Sequence, residues 1–228
     1  MAIFPPHGLH FKTYRNCGNR IRSICHEREG RLTVVTQDEL QFYTAEFVKS
    51  QSMPTTLELT NIVYQDGKYY VTHWIGFEKL MLSAFDLDLK NPIKIHEVEH
   101  VIKMTTSSDY IALLPAHGNS VLLVNVQTHQ MSEISENVIR NVRDIHFRDA
   151  NLLLILTEVK LFNYDVVQKK ITWVSFLPLD GLLVGLTEMY ILIVCNHKEE
   201  DEPTIASVKA QILLYTMAGM TAGIKILM

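Results

Sequence analysis

A chain of 228 residues, 47% hydrophobic and 20% charged, has the composition of a folded protein with a real core, which excludes disorder over most of its length. A formal net charge of −4 offers no basic field for a nucleic-acid backbone, so no nucleic acid is expected as partner. Three widely spaced cysteines (Cys17, Cys25 and Cys195) with no C-x-x-C exclude a disulfide scaffold and make a cytoplasmic or nuclear address the expectation.

Residues 1–19 form an N-terminal extension that lacks the charged n-region and apolar run of a secretory signal. Within it, "GLHFKTY" (8–14) is a candidate strand for closing a ring. From residue 20 onward, short runs rich in Val, Ile, Leu, Phe and Tyr follow one another between turn residues. The first unit, 20–55, holds "IRSICHE", a turn at Glu29-Gly30, "RLTVVT" and "ELQFYTA". The second, 56–98, holds "LTNIVYQ", the hairpin signal Asp66-Gly67, "KYYVTHW", "KLMLSAFD" and "IKIHEV". The third, 99–137, holds "VIKMTTS", "DYIALL", "SVLLVNVQ" and "QMSEIS". The fourth, 138–178, holds "VRDIHFR", a turn at Asp149-Ala150, "NLLLIL", "EVKLFNYD" and "KKITWVSF". The fifth, 179–228, holds "LLVGLTE", "MYILIVC", "QILLYTM" and "GIKILM". Its last segment, 211–228, carries one charge (Lys225) and a G-x-x-x-G, the features of a membrane span. Its threonines and Lys225 argue instead for two apolar strands around a turn, and no membrane span is expected.

The second strands of the five units align on Leu32, Tyr70, Ile111, Leu152 and Ile191, spaced 38, 41, 41 and 39 apart. Four strands in about forty residues is the size of a β-propeller blade. Radial stacking also accounts for second strands such as "LLLIL" that are apolar on both faces. The predicted fold is therefore all-β: a β-propeller of about five four-stranded blades, complete or part of a larger ring. The apolar ending "GIKILM" suggests a truncated or alternatively ended chain.

Phe85-Asp86 and Tyr164-Asp165 close third strands, the place where WD-repeat proteins often carry Trp-Asp. Tyr43-Thr44, Val126-Gln127 and Tyr215-Thr216 stand there in the other units, and no Gly-His dipeptide precedes the first strands. Over residues 20 to 228 the chain thus resembles a degenerate member of the WD-repeat-like propeller superfamily. The resemblance implies that architecture and a scaffolding role.

Several motifs point elsewhere and are weighed against it. His96-Glu97-Val98-Glu99-His100 matches H-E-x-x-H, the zinc-protease pattern, which needs both histidines on one helix face. Here it crosses the end of a fourth strand, where residues four apart lie ~13 Å from one another, so no metal is expected. Glycoside hydrolases with five blades set two carboxylates across a central channel. The first strands offer Asp144 and Glu58, with Arg22, Lys103 and Arg143 as cationic neighbours. That hydrolase is the alternative to the scaffold. Cys25 adjoins His26, but neighbours on a strand face opposite ways, which argues against a Cys–His nucleophile. No phosphate-cradling glycine loop occurs, and no cofactor or catalytic residue is expected. The candidate partner-binding residues are the aromatics Tyr69 and Trp74 and the acidic run Glu199, Glu200, Asp201 and Glu202. That run lies in an insertion, 196–210, that lengthens the second-to-third strand connection of the fifth unit. The expected function is a non-enzymatic subunit that binds protein partners in a larger intracellular assembly.

Overall fold

The computed structural model describes residues 21–227, apart from 28–29, 47, 55–56, 78, 87–91, 136, 177–180, 187–189, 198–208 and 217–220. Side chains are described up to Val174, those of Met53 and Pro54 excepted. Among the described residues, twenty strands form five four-stranded antiparallel sheets, each a simple meander in chain order. The chain divides into two compact units, one ending at Val98 and the other beginning at Glu99.

The first unit holds two sheets. One is β1 (Ser23–His26), β2 (Leu32–Val35), β3 (Glu39–Tyr43) and β4 (Lys49–Pro54); the other is β5 (Leu59–Gln65), β6 (Lys68–Gly76), β7 (Lys79–Phe85) and β8 (Ile93–Val98). Between them lies a core of Cys25, Val35 and Leu40 from one sheet and Leu59, Ile62, Tyr69, Val71 and Phe85 from the other. The Asp66-Gly67 signal is a two-residue hairpin, with both residues at positive φ (47° and 81°) and Gln65 opposite Lys68.

The second unit holds three sheets: β9 (Val101–Thr106) to β12 (Met131–Ile134), β13 (Val142–Phe147) to β16 (Lys170–Phe176), and β17 (Gly181–Leu186) to β20 (Thr221–Leu227). The members between are β10 (Tyr110–Pro115) and β11 (Val121–Asn125), β14 (Leu152–Thr157) and β15 (Lys160–Asp165), and β18 (Tyr190–His197) and β19 (Lys209–Thr216). The segment weighed as a membrane span forms β20 and most of β19, paired with each other. No described helix is long and apolar enough to cross a membrane. Ala112, Leu114, Val121, Leu123 and Ile134 meet Ile145, Phe147, Leu153, Ile155, Phe162 and Tyr164 in one cluster. β2, and β10 and β14 after their first residues, are buried along their length, as strands covered on both faces must be.

Adjacent sheets within a unit are also joined by polar contacts between their first strands. The amide of Ile62 donates to Ser23 Oγ (3.4 Å), and that of Phe147 donates to Thr105 Oγ1 (3.3 Å). First strands carry a further regularity. In sheets two to five, the pairing of the first strand with the second skips one residue of the first: Thr60, Ile102, Arg143 and Val184. These β-bulges recur 42, 41 and 41 residues apart. Outer strands bulge too, at Ser50 and Thr172. Three of these extra residues carry hydroxyls that donate 3.1 Å to carbonyls of the facing strand: Thr60 to Thr72, Ser50 to Phe42 and Thr172 to Asn163. A bulge withholds a ladder N–H from its partner, and the hydroxyl takes its place.

Third strands end in side-chain caps. Asp165 Oδ1 accepts from the amides of Val167 and Gln168 at 2.9 and 2.8 Å. Asn125 Oδ1 does the same for Gln127 and Thr128. Tyr164-Asp165 therefore serves the third-to-fourth turn, and Asn125, one residue ahead of Val126-Gln127, is its counterpart in the third sheet.

Candidate functional site

The first strands carry the acids that a paired-carboxylate enzyme would need. Asp144 is 3% exposed, because its bulged strand turns it inward, and it is bonded to Lys103 Nζ of the preceding sheet and to the amide of Ile145. Glu58 pairs with Arg22 of the preceding sheet at 3.1 Å, and Arg22 also donates to the Leu59 carbonyl. Arg143 pairs with Glu158 across its own sheet. Asp144 on β13 and Glu58, just ahead of β5, are thus each met by a cation of the neighbouring sheet in their own unit.

Beside the Lys103–Asp144 pair, His146 Nδ1 donates to the Phe147 carbonyl at 3.0 Å. Burial, and then the Lys103 ammonium, push its pKa below the usual imidazole value. His73 is also buried, lies 3.2 Å from Ser83 Oγ, and is pushed down mainly by burial.

His96 and Glu97 lie on β8, opposite Leu82 and Met81, so extended backbone carries H-E-x-x-H. His100 follows the strand and its carbonyl accepts from the Ala116 amide. Among the described residues, no group of three or more His, Cys, Asp or Glu side chains could hold a metal ion. Cys25 is buried, and desolvation together with the Glu27 carboxylate pushes its thiol up to about 12, the reverse of what an activated nucleophile requires.

The two aromatic candidates part company. Tyr69 is 2% exposed, packed edge-on to Phe42 at 6.3 Å, and its hydroxyl donates to Glu27 Oε1 at 2.7 Å. Its burial leaves no surface for a partner, a correction to the expectation for this residue. An apolar ring with one polar atom fits a sheet-to-sheet seam when that atom finds an acceptor there. Trp74 is half-buried near the end of β6, its amide donating to the Glu58 carbonyl. Beyond it the β6–β7 hairpin continues through Ile75 and Gly76 to Phe77, which is 92% exposed. Sequence reasoning missed Phe77. The available signal was an aromatic residue between Gly76 and Glu78, in the turn where blades one and four put Gln37-Asp38 and Glu158-Val159. Those turns are instead closed by hydroxyls, with Thr36 and Thr157 each accepting from and donating to the residue three further on. Glu199, Glu200, Asp201 and Glu202 lie outside the described residues.

No protein-family model matches the chain, and no curated protein matches it. Solved structures do. A chain in the crystal structure of the mitotic checkpoint complex aligns with TM-score 0.61 at 8% identity, over 89% of this chain and 62% of its own length. The N-terminal domain of Nup159 gives 0.58 at 9% identity, over 86% and 58%. A chain of the nidogen/laminin complex gives 0.54 at 12%, over 68% and 62%. Such identities speak for the fold alone, and that fold is the β-propeller. The chain spans between 58% and 62% of the length of these matched chains.

Proposed function

We propose that this chain is a non-enzymatic propeller module that binds protein partners within a multi-subunit assembly of the cytoplasm or nucleus. The observation that carries the proposal is the β6–β7 hairpin, which holds Ile75 at 42% and Phe77 at 92% exposure beyond half-buried Trp74. An aromatic side chain held out on a rigid two-stranded stem loses little conformational freedom on docking and suits a central anchor. The cations set against Glu58 and Asp144 support the same reading, because a glycosidase needs two acids facing one sugar. The acidic run Glu199–Glu202 belongs to the proposal as a second contact, for a basic surface.

Burying one phenylalanine contributes about 1.5–3 kcal/mol, so Phe77→Ser should weaken a partner by roughly ten- to a hundredfold. Partners captured from extract with wild-type protein, identified by mass spectrometry and rebuilt from purified components, should include one that Phe77→Ser no longer holds. The variant should melt at the wild-type temperature, since the residue is 92% exposed. Equal capture by both proteins would sink the hairpin's role. Cleavage of a glycan panel that is abolished by Asp144→Asn would replace the module with an enzyme.

A further inference from the structure

The second unit contains an open cleft of about 350 Å³, lined by Asn119, Ser135, Asn137, Ile139 and Arg140. It forms where the β10–β11 turn, the end of β12 and the connection into β13 come together at one end of the third sheet. Ile139 is fully buried beneath it, while the four polar residues are exposed. Among the described residues, Arg140 makes no ion pair, and the side chains of Asn119, Ser135 and Asn137 make no hydrogen bond. Arg22, Arg31 and Arg143 each meet a carboxylate, whereas Arg148, like Arg140, meets none among the described residues.

The walls of this cleft are fixed. Gly118 sits at φ 65°, its carbonyl accepts from the Val142 amide at 2.7 Å, and its own amide donates to the Pro115 carbonyl. A Cβ at this position would lie 2.9 Å from the Val142 carbonyl oxygen, so only glycine allows the turn to close on β13. Asn119 therefore stands at a set place beside Ile139 and Arg140. Asn141, also at positive φ, turns the chain from Arg140 into the strand.

We infer that this cleft recognises a carboxylate of a partner peptide, which deepens the interaction reading above and rests on it. A guanidinium presents a planar fork of donors matched to a carboxylate, and two carboxamides and a hydroxyl can complete the shell. Among the described lining residues, one positive charge stands with neutral groups and balances a single negative charge; a phosphate dianion would retain an uncompensated one. The volume falls at the lower end for ligand sites, room for one or two peptide residues rather than a cofactor. Val138, 53% exposed and next to the lining residues, offers apolar contact for a flanking side chain.

The test is a titration of the whole protein with fluorescent peptides, read by anisotropy. The probes are four capped glutamates, four capped glutamines, four glutamines with a free C-terminus, and a capped phosphoserine analogue. The glutamate peptide should bind, the capped glutamine peptide should not, and Arg140→Gln should weaken binding at least tenfold. Arg140→Lys should fall between the two, because it keeps the charge and loses the fork. Binding of the free-ended glutamine peptide as tight as that of the glutamates would assign the carboxylate to a chain terminus. Equal loss in Lys169→Gln, at the opposite end of its sheet, would reduce the effect to bulk charge and overturn the inference. So would equal binding of capped glutamine and glutamate, or tenfold tighter binding of phosphoserine. The titration needs no native partner, so its failure and a failed capture through Phe77 are separate results.

Discussion

Leu153 and Leu154 are neighbours on β14, 0% and 1% exposed. Neighbours on a strand face opposite sides, so this burial requires both faces of the sheet to be covered. Leu153 packs with Ile155 in the cluster shared with the third sheet, and Leu154 lies on the other face with Leu156. Truncating either leucine to alanine removes three carbons, about 2.4 kcal/mol at ~0.8 kcal/mol each, and the cavity left behind brings the loss to about 3 kcal/mol. At roughly 2–4 °C per kcal/mol for a chain of this size, each variant should melt about 6–12 °C lower. Val159→Ala, at a residue 55% exposed, is the control and should stay near wild type. Differential scanning calorimetry on the three proteins decides the matter. A sheet with one wet face would give one costly leucine and one silent one. That asymmetry, or silence at both positions, would refute the stacked arrangement of this strand.

Gly118→Ala should cost more stability than Gly67→Ala in thermal melts, since both positions are at positive φ but only Gly118 has a carbonyl 2.9 Å from the added carbon. In a Cys17→Ser, Cys195→Ser background, Cys25 should resist a thiol reagent at pH 8 until denaturant is added, because its pKa near 12 keeps the thiolate scarce; fast native labelling would contradict its burial. His146 has a folded-state pKa below its unfolded value of about 6.5. Its stabilising contribution is therefore complete above that pH and declines as pH falls from about 6.5 toward the folded value, while the unfolded chain takes up the proton first. His146→Gln should flatten that decline in urea titrations between about pH 7 and 5, and an unchanged slope would assign it to other groups such as His73. Protein purified without chelator should contain no stoichiometric zinc by elemental analysis; one equivalent lost on His96→Ala would overturn the strand argument.

The sheets were legible because burial on both faces leaves continuous apolar runs at a fixed spacing, as in β10 and β14. The fourth strand of the first unit escaped notice. "KSQSMP" has no alternation and only Met53 and Pro54 as apolar residues, and its pairing to β3 is a matter of backbone that composition does not record. Tyr69 and Tyr70 read alike as aromatic letters on one strand, yet both are buried, and only the position of Glu27 explains why the Tyr69 hydroxyl tolerates it. Cation–carboxylate pairs between neighbouring sheets, such as Lys103 with Asp144, join residues about one repeat apart, which no local window displays. The cleft around Arg140 is legible least of all, since it depends on a turn, a strand end and a linker meeting in space.

The recurring first-strand bulge has a consequence for exchanging parts. A residue inserted into a strand reverses which side every later residue occupies, unless the partner strand is matched to it. Thr60, Ile102, Arg143 and Val184 occupy the same slot in their sheets, so first-and-second-strand pairs from these four sheets are built to one template. β1 and β2 pair without a shift over their described length. A chimera that moves such a pair among sheets two to five keeps each side chain on its proper side.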